Sequence, residues 1–426
     1  MTPPFPRQNY FIFFAERLRM SVAAGSCFSL FLCGMFFFAS ASRAQSLDKP
    51  TTNIDEDVTA FAFAPDGKVV YSVRRMFKNK KYDMQRDDIW IDDNGKRKRI
   101  FQGEHFTVLK PIAPVAKDDS DDVDEKGKKK KSKEDKDKPI TPPFTYIIEG
   151  FEFSPNGKMV LVQLLTSTIN DESNHASDER MTLVLDESGR EIKLSGDNAV
   201  IHDSKDATWL MDNATIVYLT EVIKPNVLFS YKYANVKTGP AGPAFEGRTF
   251  IATAPVPHSN LALAIERDKN LSGPPRLQRL ELLSQDDKEL ATLDGYETGL
   301  SVSPSGKRVA YFIDKEVLEI RDTEKPDRVA RVRIGLGSIQ WSADETYLMV
   351  KRSPERKSGD LVWVQLPELT TVKGGRTDAV PVAQPEPTPI LHGLTFRDFA
   401  ISPNGSMLGV IPPGKRNLLL FPLPPH

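Results

Sequence analysis

Along this chain a period-two alternation of apolar and polar positions is interrupted, again and again, by one kind of turn. Two alternating apolar residues lead into Ser or Ala, then Pro, Asp or Asn, and Gly, after which apolar alternation resumes. The run is read most clearly in Phe61-Ala62-Phe63-Ala64-Pro65-Asp66-Gly67-Lys68-Val69-Val70-Tyr71. It returns in Phe151-Glu152-Phe153-Ser154-Pro155-Asn156-Gly157, in Leu300-Ser301-Val302-Ser303-Pro304-Ser305-Gly306 and in Phe399-Ala400-Ile401-Ser402-Pro403-Asn404-Gly405. Proline presets φ for the first corner of a type I turn, and glycine accepts the left-handed position that closes it. Alternation on both sides gives two strands with one face each to bury, so every copy predicts a β-hairpin.

Three degenerate copies fill the gaps. Trp209-Leu210-Met211-Asp212-Asn213 leads into residues 215–219, Ile251-Ala252-Thr253-Ala254-Pro255 leads through His258-Ser259-Asn260 into residues 261–264, and Ile339-Gln340-Trp341-Ser342-Ala343-Asp344-Glu345 leads into residues 347–350. A third strand usually follows (88–91, 182–185, 317–320, 361–364), then a polar turn and a fourth strand such as 97–101 or 191–194. Four antiparallel strands per unit and seven units predict an all-β chain, a seven-bladed β-propeller of four-stranded antiparallel blades over residues 45–426.

Turn positions 65, 155, 211, 255, 304, 343 and 403 are spaced by 39 to 90 residues, and the two longest steps have visible causes. Residues 113–142 form a charged insertion whose centre, 117–138, holds nine Lys and nine Asp or Glu with almost nothing apolar, a composition that predicts disorder. Residues 366–390 carry Pro367, Pro381, Pro385, Pro387 and Pro389 and predict an extended Pro-rich loop. The last unit is one strand short. Residues 48–56 are placed to supply that strand and lock the ring.

Composition adds the compartment. Arg17 and Arg19 precede an uncharged apolar stretch over 20–42 that ends in small residues, so residues 1–44 predict a signal peptide cut after Ala41 or, preferably, Ala44. The alternative is an uncleaved anchor, because about 20 apolar residues can span a bilayer. Both cysteines, Cys27 and Cys33, lie in that segment, which leaves the rest of the chain without disulfide, thiolate nucleophile or cysteine metal ligand. A formal net charge of −1 offers no long-range attraction to nucleic acid. A periplasmic or secreted protein is expected, monomeric, touching the membrane only through residues 20–42 if they stay attached.

The Ser-Pro-Asp/Asn-Gly-Lys hairpins, with an Ile-Trp or Val-Trp third strand at Trp90 and Trp363, resemble the PD40-type repeats of TolB-like propellers. Similar blades occur in propellers of prolyl-oligopeptidase-type peptidases. The TolB resemblance implies an envelope-located binding propeller without enzymatic activity. TolB carries an additional N-terminal α/β domain, and only a short segment lies here between the export signal and the first hairpin, so membership of a Tol–Pal-type system is not implied.

Linear signatures of chemistry are missing. No Gly-x-Ser-x-Gly elbow, phosphate loop or dinucleotide fingerprint occurs, and His105, His175, His202, His258, His392 and His426 show no metal-binding spacing. Trp90, Trp209, Trp341 and Trp363 are expected in the blade core. No catalytic residue, cofactor or metal is assigned. The one suggestive constellation is a basic rim on the loops between second and third strands: Arg74, Arg75, Lys78, Lys80, Lys81, Arg267, Lys351, Arg352, Arg356, Lys415 and Arg416, with Lys224, Lys269 and Lys357 beside them. Acidic residues are interleaved, and a solvated loop face is the plainer reading. The expected function is non-enzymatic binding or scaffolding of a protein or peptide partner in the cell envelope. Two alternatives stand: a lyase or hydrolase with its active site in the central funnel, or a sensor of an anionic glycan or lipid.

Overall fold

The computed structural model describes residue 47 and residues 49–423, apart from 79–81, 104–106, 112–144, 171–174, 195–199, 224–227, 272, 353–360, 373–379, 391–397, 413 and 415. The side chains at some strand ends, among them Lys78 and Arg352, also lie outside the described residues. So do residues 1–44, expected to be a signal peptide, and residues 113–142, expected to be a disordered charged insertion.

Among the described residues there is no helix. Val58–Phe63, Val69–Lys78, Tyr82–Asp93 and Lys96–Phe101 pair in that order as one antiparallel sheet, joined by Thr107–Pro111 on the third strand. Thr145–Phe153, Met159–Asn170, His175–Asp186 and Val200–Ile201 form the second. An eight-stranded sheet follows and divides into two sets of four, the first beginning at Lys205–Trp209 and the second at Phe250–Pro255, bridged only by Phe229 opposite Phe250. The fifth set begins at Thr298–Val302 and the sixth at Gly337–Trp341. In the last, Asp398–Ile401, Met407–Ile411 and Leu418–Pro422 are completed by Thr52–Ile54 from the other end of the chain.

Burial on both faces explains why the second strands read as nearly continuous apolar runs. Successive side chains of a strand point to opposite sides. Val69, Tyr71 and Val73 therefore pack with Ile411, Leu418 and Leu420 of the last sheet, while Val70 packs with Val160 and Val162 of the next one. The same division separates Val309 and Tyr311 from Ala310 and Phe312. Each core cluster among the described residues is shared by two sheets consecutive in the chain, and one of them joins the last sheet to the first. Fourth strands such as Lys96–Phe101 and Asp286–Thr292 are largely exposed and charged, which protects their free edges. The arrangement is β-propeller-like.

The seam between the ends of the chain carries the strand foreseen at 48–56. Thr52, Asn53 and Ile54 lie opposite Leu420, Leu419 and Leu418. Thr51 N–H donates to Leu420 O at 2.9 Å, Val58 N–H to Arg416 O at 2.6 Å, and Asn417 Nδ2 to Asn53 Oδ1 at 2.8 Å. Gly409 lies where a Cβ would stand 2.3 Å from Phe61 Cε2, so the first and last sheets approach at that point only because the residue has no side chain.

Three sequence expectations change. The fourth hairpin turns on Pro257, not Pro255: Val256 N–H donates to Leu261 O, the pairing that Ser303 N–H makes with Arg308 O. His258, at φ +54°, takes the left-handed position that a type II turn requires after proline. The fourth strand of the second sheet is Val200–Ile201, while residues 191–194 contribute one isolated bridge from Glu191 to Leu185. The Pro-rich stretch 366–390 is not wholly loop. Thr370–Thr371 and Val382–Ala383 add to the outer strand Arg328–Arg333 of the fifth sheet, and Thr388–Pro389 supplies the outer strand of the sixth, an edge position where proline costs no ladder hydrogen bond.

Packing at the seam gives a direct test. Gly409→Ala should lower stability by about 1–3 kcal/mol through overpacking against Phe61, and adding Phe61→Leu should restore part of the loss, as urea unfolding of the single and double variants would read. Strictly additive effects would mean that the two residues do not meet.

Candidate functional site

The first-strand hairpins converge. A cavity of about 460 Å³ is lined by residues from every one of these turns, among them Pro65, Pro155, Met211, Pro257, Pro304, Ala343 and Pro403. In six of the seven repeats the residue just before the Ser-type position also lines it: Phe153, Trp209, Pro255, Val302, Trp341 and Ile401. This axial mouth is apolar because a turn residue, proline in five of the seven repeats and Met211 or Ala343 in the others, faces it from every repeat. Its size falls in the range of pockets that hold small ligands or single peptide side chains.

Neighbouring turns are latched to one another. Asn213 and Glu345 occupy the left-handed position of the degenerate turns, at φ +55° and +59°, where the good copies have glycine. Their side chains use it: Asn213 Oδ1 accepts Asn156 N–H at 2.8 Å and Glu345 Oε1 accepts Ser305 N–H at 2.5 Å. Asn260 Oδ1 likewise accepts Met211 N–H at 2.9 Å. Elsewhere the turns touch directly, and a Cβ on Gly405 would meet Ala343 Cβ at 2.6 Å.

The inner strands are stapled by side chains as well. Gln340 donates to Phe399 O at 2.9 Å and accepts Ile401 N–H at 2.8 Å. Glu152 bridges the second and third sheets: its Oε1 accepts Thr208 Oγ1–H at 2.5 Å and Trp209 N–H at 3.1 Å. Burial pushes the Glu152 carboxyl up to about 7, against the two donors that favour the charged form, and Asp206 adds to the rise. The indole N–H groups of Trp209 and Trp341 are buried and have no hydrogen-bond partner among the described residues. Trp209 and Trp341 thus end first strands at the cavity, whereas Trp90 and Trp363 lie on third strands as expected. Alignment with Phe63 and Phe153, each just before the small turn residue, was the available signal.

The basic rim lies at the opposite ends of the same strands. Arg74 is half-buried and held by both oxygens of Asp87 at 2.8 and 2.9 Å. Arg75 pairs with Glu56 at 2.8 Å and Arg416 with Asp57 at 3.5 Å. Arg74 and Arg416 are brought together around a cleft of about 740 Å³ that also contains Asp55, Glu56 and Asp57. Arg267 lies apart from them, donating to the carbonyls of Leu271 and Gly273. Lys351 stands in the strand Tyr347–Arg352, opposite Ser338 and Leu361. Lys80, Lys81, Lys224, Arg356, Lys357 and Lys415, and the side chains of Lys78 and Arg352, fall outside the described residues. An anion arriving at the described part of the rim must compete with the carboxylates already there. Sequence spacing showed the cations but not these partners, which come from a neighbouring strand and from the connection at 55–57.

Among the described residues no group of three or more His, Cys, Asp or Glu is placed to hold a metal ion. His202 pairs with Glu179 at 3.1 Å, and His258 lines the axial mouth.

No known family profile matches the chain, and no curated protein matches it either. Among solved structures, the chain is similar to one from the crystal structure of the mitotic checkpoint complex, with 12% sequence identity, 97% of this chain and 98% of that chain covered, and a TM-score of 0.49.

Glu152 makes the site pH-sensitive in a defined direction. Its folded value lies above the ordinary 4.5, so its contribution to stability is complete below that value and is lost as pH rises through about 7. Between pH 4.5 and 8 the native protein should lose about 3 kcal/mol on this account. Glu152→Gln, which keeps an acceptor for Thr208 and Trp209, should remove that part of the pH dependence in urea unfolding. An identical pH profile for the variant would contradict the assignment.

Proposed function

We propose that this chain is a seven-bladed propeller of the TolB-like kind that works outside the cytoplasm as a non-enzymatic binding module, engaging a protein or peptide partner through the axial mouth. The axial cavity carries the reading: apolar and aromatic side chains from all seven hairpins converge on one opening, and turn-to-turn hydrogen bonds hold them in place. A mouth fixed before binding loses little entropy on contact, which favours recognition of an extended segment. The apolar, small-residue-terminated segment over 20–42 supports export, and the seven repeats support the blade count.

One observation favours the enzymatic alternative. A carboxyl held near 7 in a cavity suits general acid–base catalysis. One of its oxygens, however, is already occupied by Thr208 and Trp209.

Retention of partners from envelope extract by the immobilised protein separates the two faces. The double variant Trp209→Ala/Trp341→Ala should lose the retained protein, while Arg75→Glu/Arg416→Glu should keep it. The reverse pattern would move the binding surface to the rim and end the axial reading.

A further inference from the structure

The axial mouth has an uneven charge. Among the described residues its lining contains no lysine and no arginine, and the titratable side chains there are Glu152 and His258. Everything else that faces it is apolar, aromatic, or a neutral hydroxyl, amide or glycine. A carboxylate set in such a lining is weakly solvated, and an incoming cation would be the natural group to satisfy it.

The geometry at Glu152 narrows the kind of cation. Oε1 is committed, taking Thr208 Oγ1–H and Trp209 N–H. Among the described residues Oε2 makes no hydrogen bond. A guanidinium binds a carboxylate best through two parallel bonds, one to each oxygen, and that fork needs both oxygens free. An ammonium is a point charge that needs one acceptor and is content with a single oxygen.

Building on the axial reading of function, we propose that the mouth recognises a primary ammonium group, the side chain of a lysine in an extended peptide segment, with Glu152 Oε2 as its acceptor. The aliphatic stem of that lysine lies against the apolar ring formed by the turn prolines and by Val302 and Ile401, and its charge ends at the one carboxylate available. Two features of the cavity thus take the two parts of one side chain.

The test uses blocked pentapeptides Ala-Ala-X-Ala-Ala, with X as lysine, norleucine or arginine, titrated against the protein at pH 8, where Glu152 is ionised, and read by tryptophan fluorescence, since Trp209 and Trp341 line the site. The lysine peptide should bind at least about tenfold more tightly than the norleucine peptide, which corresponds to about 1.4 kcal/mol. It should also bind more tightly than the arginine peptide. In Glu152→Gln the lysine advantage over norleucine should shrink to within about twofold while the norleucine peptide still binds. Equal binding of all three peptides to the native protein would overturn the ammonium assignment and leave the axial mouth standing as a peptide site. No binding of any peptide would overturn both. Because the lysine-to-norleucine ratio is read on the native protein, a Glu152→Gln chain that failed to fold would not shelter the proposal.

Discussion

Three residues, Thr52–Ile54, hold the two ends of the chain in one sheet, and the rest of the architecture depends on that pairing. A row of sheets packed face to face leaves an uncovered apolar face at each end of the row. Here those faces would be Val58, Phe61, Val69, Tyr71 and Val73 at the start and Ile411, Leu418 and Leu420 at the finish, and they are buried against one another. Each such side chain is worth about 1.5–3 kcal/mol when removed from water. Placing the first strand on the last sheet also pairs an edge that would otherwise be a template for aggregation.

The axial mouth follows from the same constraint. When sheets are set around an axis, their first strands and the turns that end them are driven together. Steric fit then demands small contacts, met by Gly405 against Ala343. Backbone N–H groups stranded between turns demand acceptors, met by Asn213, Asn260 and Glu345. The departures from the Pro-Asp-Gly pattern are therefore part of the structure: at Asn213 and Glu345, where glycine is lost, the replacement side chain latches the preceding turn. One step further in, Glu152 and Gln340 tie their first strands to the following sheet, and Glu152 retains an oxygen for a ligand.

Much of this was legible because the hairpin signature is local. Proline and glycine at fixed offsets name a turn without reference to anything distant, and strand counting led from the short last unit to the segment that completes it. What could not be read depends on contacts across the fold. Two prolines, Pro255 and Pro257, compete for one corner, and only the Val256 to Leu261 pairing decides between them. The two-residue strands Thr370–Thr371 and Val382–Ala383 are too short to carry a period, so proline content alone suggested a loop. The rim cations showed plainly in sequence, whereas their partners did not: Glu56 and Asp57 approach from the connection before Val58–Phe63, and Asp87 from the strand Tyr82–Asp93. The cavity could not be drawn at all, since it is assembled from turns hundreds of residues apart.

Native-state hydrogen exchange at the seam tests the closed ring most directly. A ring that opens only when the whole protein unfolds predicts that the amides of Leu418 to Leu420 and of Thr51 exchange with the same protection as the buried second strands, such as Val309–Phe312. Fast exchange at Thr51 and Leu418 to Leu420, with the second strands still protected, would show that the terminal strand is a loose appendage and that the sheets do not form a closed ring.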